Sequence, residues 1–322
     1  MTPASFHRLP GDPPAPARAF WARAEDGVRL RMARWSPDEA RPERRGTIFL
    51  FPGRTEYLEK YAAIGAAFAS HGFAVLGIDW RGQGMSDRLQ ADPRPGHVVA
   101  FSDYQRDVVE MVVAAHEMDL PQPWHLLAHS MGGAIGLAAL LNDLPVRSAV
   151  FSAPMWGIVP RRLTRTVANG LALAAGRLGR SGMPAPGTGG RGSFVLDCAF
   201  NDNLLTGDGQ SWGRLVAEAV AWPELTLGGA SYGWLGAALA ECARLQAVPA
   251  ADMPTPERGV LVSLGGLERV VSPAAIRTRV AGWPAARLLE VPGARHEVMF
   301  ETPDRRDRFM QAALDHFSGG DG

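Results

Sequence analysis

The sequence is poor in cysteine, carries no net charge and has no long apolar run. Its only cysteines, Cys198 and Cys242, are too few for a disulfide framework, so we expect a reducing, cytoplasmic environment. Lysine plus arginine and aspartate plus glutamate number 33 each, a balance that argues against a nucleic-acid-binding protein. No run approaches the roughly 20 apolar residues that a membrane-spanning helix needs. We therefore expect a soluble protein, or one that lies at most on a membrane surface.

Motifs for metals and cofactors are also missing. The sequence has no H-E-x-x-H motif and no clustered cysteines and histidines. The stretch Asp79–Arg88, DWRGQGMSDR, places glycines beside arginines, but its spacing fits neither a P-loop nor a dinucleotide fingerprint. We interpret this stretch as a turn that braces a neighbouring loop. We expect no metal and no cofactor.

Apolar residues make up 46% of the chain, enough for a sizeable core, and their pattern alternates between strand and helix. Short apolar runs predict buried strands, and the turn EDG at 25–27 predicts that FWARA before it forms a hairpin with the strand 28–35. The predicted strands are 28–35, 46–51, 73–79, 124–129, 147–152, 259–264 and 286–291. The predicted helices are 57–69, 101–118, 132–141, one from about 273, and 303–317. This alternation predicts an α/β fold with a mostly parallel sheet and helices on both faces.

The alternation defines a domain organisation. Residues 1–18 are rich in proline and show no signal-peptide pattern, so we expect a loose N-terminal arm. Residues 19–154 and 250–322 would form the two parts of one core. Residues 155–249 contain apolar helical stretches without a clear strand pair. We expect them to form a helical cap inserted between two strands.

The stretch LLAHSMGG points to a nucleophile. A predicted buried strand ends at His129, Ser130 follows, and a helix starts at once. A turn that sharp needs small residues two positions to either side, and Ala128 and Gly132 stand there. The pattern is the nucleophile elbow G-x-S-x-G with alanine for the first glycine. The alternative is a serine that caps a helix packed tightly on its strand.

An elbow serine needs a histidine base and an acid that orients it. In this architecture the order along the chain is serine, acid, histidine. Of the eight histidines, only His296 lies on a loop just past the last predicted strand. Glu268 is the acidic residue that follows the preceding strand. The alternatives are a solvated surface histidine and a surface salt-bridge glutamate.

The tetrahedral intermediate of acyl transfer needs two N–H donors for its oxyanion. Met131, directly after the serine, would supply one backbone N–H. The loop after strand 46–51 would supply the other, and the Arg54 N–H is our choice. We expect Glu56 to hold this loop by pairing with Arg54 or Arg81, rather than to take part in the chemistry.

In combination these stretches resemble the α/β-hydrolases of the monoacylglycerol lipase and lysophospholipase group. The matching stretches are FPGRTEYLEKY, GFAVLGIDWRGQGMSDR, LLAHSMGG, GGLERVVSP and VPGARHEVMFE. The resemblance implies an α/β-hydrolase fold, a helical cap, a triad of Ser130, Glu268 and His296, and an oxyanion hole from Arg54 and Met131. The sequence departs from the group at three places, where relatives commonly have HG, Asp and a second Asp. This chain has Pro52-Gly53, Glu268 and Ser272 there.

The resemblance implies hydrolysis of a carboxylic ester with one acyl chain, such as a lysophospholipid or a monoacylglycerol. A short-chain esterase or an aminopeptidase of the same fold is an alternative, although the cap carboxylates form no obvious cluster for an amino group. A non-catalytic ligand-binding relative is an alternative of another class. The segment Arg161–Arg180 is basic at both ends and apolar between, so the cap is where peripheral membrane contact is expected. The oligomeric state is left open.

Overall fold

A nine-stranded sheet forms the centre of the fold. The structure is a computed structural model, and it describes residues 1–12, 17–37, 45–158, 170, 174–186 and 192–319. Its strands are β1 (Thr2–Pro3), β2 (Ala17–Arg23), β3 (Arg29–Trp35), β4 (Thr47–Phe51), β5 (Ala74–Asp79), β6 (Trp124–His129), β7 (Ser148–Ser152), β8 (Val260–Gly265) and β9 (Ala286–Val291). The spatial order is β1-β2-β3-β5-β4-β6-β7-β8-β9. In this spatial order, each strand from β5 to β9 is parallel to its neighbour. The pairs β1–β2, β2–β3 and β3–β5 are antiparallel. The predicted mostly parallel sheet and its hairpin are confirmed.

Helices lie on both faces of this sheet. Within the described ranges, the helices with established bounds are α1 (Ala62–Ser70), α2 (Asp103–Glu117), α3 (Met131–Leu141), α4 (Phe194–Asp197), α5 (Gly209–Ala221), α6 (Tyr232–Ala247), α7 (Pro273–Ala281) and α8 (Pro303–Ser318). Short 3-10 turns lie at Leu58–Tyr61, Phe200–Asp202, Pro223–Leu225, Ala250–Asp252 and Val298–Phe300. The helices predicted outside the insertion are present within two residues of their expected ends, except that 57–69 begins as a 3-10 turn.

The central strands separate two apolar cores. Every residue of β4, β5, β6, β7 and β8 is buried. Because successive side chains point to opposite faces, Phe49 and Phe51 join the core under α2, α3 and α6, whereas Ile48 and Leu50 join the core under α1 and α8. Burial on both faces explains why these strands appear in the sequence as continuous apolar runs.

The N-terminal arm over residues 1–18 remains a prediction, and the described part of this segment makes three kinds of contact with the rest of the fold. Thr2–Pro3 pairs with β2, and β2 itself begins at Ala17. The Phe6 ring packs edge-on against Trp35, with ring centroids 5.9 Å apart. Asp12 forms an ion pair of 2.8 Å with Arg214. Sheet pairing, one apolar contact and one ion pair thus connect this segment to the rest of the fold.

The segment between β7 and β8 carries α4, α5 and α6, together with 3-10 turns. The helix α6 packs on α3, which follows the serine. The cap boundaries 155–249 remain a prediction, and most of the basic segment 161–180 lies outside the described residues. Among the residues that the structure describes, no helix combines the length and the apolar character that crossing a membrane takes.

Candidate active site

Ser130 occupies a sharp turn between the end of β6 and the start of α3. Its backbone has φ 51° and ψ −116°, a conformation that side-chain-bearing residues rarely adopt and that marks functional turns. A Cβ on Gly132 would lie 2.1 Å from the Phe51 carbonyl oxygen, so only glycine fits there. A Cβ on Gly136 would lie 3.2 Å from the Cβ of Ala128. The small residues around the serine therefore provide the clearance that the sequence predicted for an elbow.

The structure brings the three residues of the expected triad together. His296 Nε2 lies 2.9 Å from Ser130 Oγ, and His296 Nδ1 lies 2.7 Å from Glu268 Oε2. Ser130, Glu268 and His296 follow β6, β8 and β9, so they meet at the carboxyl edge of the sheet. All three are at least nine-tenths buried. Such a chain of hydrogen bonds can carry a proton from a hydroxyl to an imidazole.

Glu268 is fixed by its own loop. Its Oε1 accepts hydrogen bonds from the Val270 and Val271 N–H groups at 2.5 and 3.1 Å, which leaves Oε2 for the histidine. Burial opposes the charged carboxylate, but His296 and these two donors outweigh it and lower the pKa of Glu268. Burial likewise opposes the imidazolium, but the Glu268 carboxylate outweighs it and raises the pKa of His296. The pair favours a carboxylate that stabilises a charged imidazole.

The histidine loop is also held from the cap side. The His296 N–H donates to the Leu204 carbonyl at 3.3 Å, and the Glu297 N–H donates to the Leu205 carbonyl at 2.8 Å. Residues 204 and 205 lie between β7 and β8 in the chain. The predicted base is therefore positioned by both the core and the inserted segment.

Two backbone N–H groups near Ser130 have no acceptor among the residues that the structure describes. In the loop after β4, the Gly53 N–H donates to the Glu56 carboxylate and the Thr55 N–H donates to Gln83 Oε1. Between them, the Arg54 N–H donates to no group within the described ranges, and neither does the Met131 N–H. A Cβ on Gly53 would lie 3.2 Å from the Ser130 Cβ, so this loop adjoins the serine. Both N–H groups are available for an oxyanion.

The stretch Asp79–Arg88 braces that loop, as interpreted from its sequence. Gln83 Nε2 donates to the Gly53 carbonyl at 2.9 Å while its Oε1 accepts from Thr55. Trp80 Nε1 donates to the Pro52 carbonyl at 2.9 Å. Three residues of the loop, Pro52, Gly53 and Thr55, are thus tied to one turn, which limits the movement of the loop.

The expected partners of Glu56 are wrong. Its carboxylate accepts hydrogen bonds from Lys60 at 2.6 Å and from Tyr61 at 2.5 Å, as well as from Gly53. Arg81 instead pairs with Asp26 and Asp107. Although burial opposes it, the Lys60 ammonium helps to lower the pKa of Glu56 to about 2. Glu56 does hold the loop, but through partners on the following helical turns.

A buried polar cluster behind the triad was not found from the sequence. Lys60 Nζ lies 2.6 Å from both Glu56 Oε1 and Glu297 Oε1, and His129 Nε2 lies 3.7 Å from Glu56 Oε1. Burial lowers the pKa of His129 to about 4. Ligand-type atoms of Glu56, His129 and Glu297 approach within 4.8 Å of one another, the spacing of a metal site. The Lys60 ammonium already supplies the positive charge between the two carboxylates.

Comparison with known proteins places the chain in a family. Residues 42–303 match the family described as Serine aminopeptidase, S33. The chain belongs to this family of α/β-hydrolases. It is 36% identical to Lysophospholipase L2 of Escherichia coli strain K12, over 84% of this chain and 80% of that protein. It is 28% identical to Probable lysophospholipase L2 of Haemophilus influenzae, over 85% of this chain and 83% of that protein. The resemblance inferred from the motifs is confirmed.

Solved structures share the fold at low identity. A soluble variant of monoglyceride lipase from Saccharomyces cerevisiae superposes with a TM-score of 0.74 at 16% identity, covering 93% of this chain and 94% of that one. The monoacylglycerol lipase of Paleococcus ferrophilus has a TM-score of 0.68 at 17% identity, covering 90% of this chain and 98% of that one. These matches confirm the predicted α/β-hydrolase fold.

Proposed function

We propose that this α/β-hydrolase cleaves carboxylic esters through an acyl-enzyme on Ser130. The observation that carries the proposal is the hydrogen-bonded series from Ser130 Oγ through His296 to Glu268, next to two N–H groups that are unpaired within the described part of the chain. In this proposal His296 is the general base, Glu268 orients it, and the Arg54 and Met131 N–H groups bind the oxyanion. No metal or cofactor takes part in these steps.

The reaction would follow the geometry in two halves. Ser130 Oγ attacks the ester carbonyl carbon while its proton moves to His296 Nε2, and the carbonyl oxygen becomes an oxyanion held by the two N–H groups. The intermediate collapses, the carbon–oxygen bond to the alcohol breaks, and His296 gives its proton to the leaving alkoxide. Water then attacks the acyl carbon while its proton moves to His296, the bond from that carbon to Ser130 Oγ breaks, His296 returns the proton to Oγ, and the fatty acid leaves.

For the substrate we infer lipid esters with a single acyl chain. The two relatives with the sequence matches given above are named lysophospholipases, and two structures of the same fold are named monoglyceride or monoacylglycerol lipases. Lysophospholipids and monoacylglycerols share one acyl chain in ester linkage to a polar alcohol. That shared chemistry is the substrate class we propose.

The alternatives fit the site less well. An aminopeptidase needs a free carboxylate for the substrate's amino group. Two buried carboxylates between β7 and β8 are already paired, Glu218 with Arg214 at 2.8 Å and Glu241 with Arg244 at 2.7 Å. The assignment as a short-chain esterase would not explain why the two relatives with sequence matches are named lysophospholipases. A non-catalytic binding protein would not need the serine, histidine and glutamate in hydrogen-bonding contact.

We also propose that the cap touches the lipid surface. Phe194, Leu196 and Phe200 lie close together in the chain between β7 and β8 and are 38%, 46% and 36% exposed. Apolar side chains at the surface of an enzyme that acts on lipids can enter the headgroup region. Replacing Phe194 and Leu196 by serine should weaken co-sedimentation with phospholipid vesicles and leave hydrolysis of a water-soluble ester in place. Equal sedimentation of both proteins would remove this part of the proposal.

Activity assays with a matched variant test the function. Wild type and Ser130→Ala are compared on lysophosphatidylcholine, on monoacylglycerols and on p-nitrophenyl esters of increasing chain length. We expect wild type to release fatty acid from the lipid substrates, and the alanine variant to lose about 10⁴-fold or more in kcat, because covalent catalysis is lost. Equal turnover by the variant would contradict the mechanism. Activity confined to acetate esters would contradict the lipid assignment.

A further inference from the structure

The side chain of Arg54 reaches from the loop beside Ser130 into the cap. Its Nη2 donates to the Gly228 carbonyl at 3.0 Å, and its Cζ lies 4.9 Å from the centroid of the Trp234 ring. Gly228 and Trp234 flank the start of α6. One residue therefore offers a main-chain N–H to the proposed oxyanion and fixes its side chain on a different part of the fold.

The cap segment that receives Arg54 is itself anchored to the core. We call residues 228–234 the cap edge. Its Gly228 N–H donates to the Arg94 carbonyl at 2.9 Å, and its Ser231 N–H donates to the Gly96 carbonyl at 3.0 Å. Ser231 Oγ lies 2.8 Å from His97 Nδ1 and accepts from the Trp234 N–H, which caps α6. These bonds set the position of the Trp234 ring relative to the loop before α2.

The Arg54 guanidinium has few other partners among the described residues. Within the described ranges no carboxylate pairs with Arg54, and its buried Nε has no hydrogen-bond partner. Burial without a nearby acid lowers the pKa of Arg54 to about 10, so the group stays charged at neutral pH. Gly96 lies against it, because a Cβ there would meet Nη2 at 2.9 Å. The Trp234 ring, the Gly228 carbonyl and the space at Gly96 therefore define where this side chain lies.

We propose that Trp234 and Gly96 are positioning residues for the oxyanion hole, acting through the Arg54 side chain. The proposal rests on the proposed function. Glu56 and Gln83 hold the Gly53 N–H, the Gly53 carbonyl and the Thr55 N–H, so the side chain fixed on the cap edge is the remaining attachment of the residue that carries the Arg54 N–H. A displaced guanidinium would tilt that N–H away from the oxyanion. In this way the position of the cap edge sets the efficiency of the catalytic step.

The test compares Trp234→Leu and Gly96→Ala with wild type on p-nitrophenyl butyrate, a small soluble ester. We expect kcat to fall about ten-fold with KM changed less than three-fold, since removing an oxyanion donor outright costs about 100- to 1,000-fold and a tilt costs less. Affinity for an alkyl boronic acid, which forms a tetrahedral adduct on the serine, should fall by the same factor as kcat/KM. Trp234→Phe, which keeps an aromatic ring under the cation, should restore most of the activity.

Controls separate this proposal from folding defects and from the proposed function. Trp212→Leu removes another buried cap tryptophan, one that packs on Phe194 rather than on Arg54, and kcat should stay within three-fold of wild type. Gly96→Ala adds only a methyl group, so it tests the same proposal if Trp234→Leu does not fold. A raised KM with unchanged kcat, or a kcat loss without weaker boronate binding, would overturn the proposal. A wild type that neither hydrolyses the ester nor binds the boronate would instead overturn the proposed function.

Discussion

The buried ammonium of Lys60 lies 2.6 Å from a carboxylate oxygen of Glu297, the residue directly after the proposed base. The same nitrogen lies 2.6 Å from Glu56, whose other oxygen holds the Gly53 N–H beside the proposed oxyanion site. One cation thus joins the loop after β4 to the loop after β9. The two loops come from opposite ends of the sequence, so this contact fixes how the halves of the core meet at the site.

Loss of the Lys60 charge should destabilise the protein strongly. Lys60→Met leaves two buried carboxylates without their cation, and breaking a buried ion pair in this way costs about 3–5 kcal/mol. The free energy of unfolding, measured by urea denaturation at pH 7, should fall by that amount. Arg277→Met is the matched control, because Arg277 pairs with Glu290 at 2.8 Å while both side chains are about half exposed. A surface pair contributes only about 0–1 kcal/mol, and similar losses in the two variants would contradict this account of the cluster.

The pH dependence of catalysis should report His296. The base must be neutral to accept the serine proton, and the pKa of His296 is raised above 6.5 despite burial because Glu268 favours the imidazolium. kcat/KM should therefore fall as pH drops through a pKa above 6.5. Glu268→Gln removes the carboxylate, so this acidic limb should move to lower pH while kcat falls about 10³- to 10⁴-fold. A limb that stays in place in the glutamine variant would show that Glu268 does not act on the base.

The raised pKa of His296 also predicts that the free energy of unfolding falls as pH rises, which is opposite to the trend in kcat/KM. A raised pKa of His296 in the folded state means that the protonated imidazole stabilises the fold. This contribution is complete below the unfolded pKa of about 6.5 and is lost as pH rises through the folded pKa. In Glu268→Gln the decline between these two values should disappear from the unfolding free energy measured as a function of pH. Persistence of the same decline would assign it to another group.

The elbow should not tolerate a methyl group at Gly132. Its Cβ would lie 2.1 Å from the Phe51 carbonyl oxygen and 2.6 Å from that of Pro52. Gly132→Ala must therefore move α3 away from the loop that carries Arg54, and we expect at least a 100-fold loss of kcat and a lower melting temperature. Gly213→Ala is the control, since nothing lies within 4 Å of its Cβ position in α5. That variant should be more stable by about 0.5–1 kcal/mol. Normal activity in Gly132→Ala would contradict the packing described for the elbow.

Elements and residues with strong local signals could be predicted from the sequence. The central strands are buried on both faces, which gives continuous apolar runs, and β6 spans the predicted residues 124–129. Ser130 stands out because its neighbours must be small. His296 and Glu268 follow from the fixed order of strand ends in this architecture, even though 28 and 138 residues separate Glu268 from His296 and from Ser130 in the chain.

Contacts that depend on tertiary packing could not be predicted. Lys60 and Glu297 are 237 residues apart, and the sequence around each of them does not indicate the other as its partner. Arg54 and Gly228 are 174 apart, and a surface arginine would give the same sequence signal. The pairing of Thr2–Pro3 with β2 could not be predicted either, because proline composition says nothing about a partner strand.

The identity of the nucleophile tests the account most directly. Wild type and Ser130→Ala are incubated with a fluorophosphonate, digested, and analysed by peptide mass spectrometry to locate the adduct. We predict one adduct, on Ser130, in the wild type, and none in the alanine variant. An adduct on another residue, or equal labelling of the two proteins, would contradict the claim that Ser130, His296 and Glu268 form the catalytic centre.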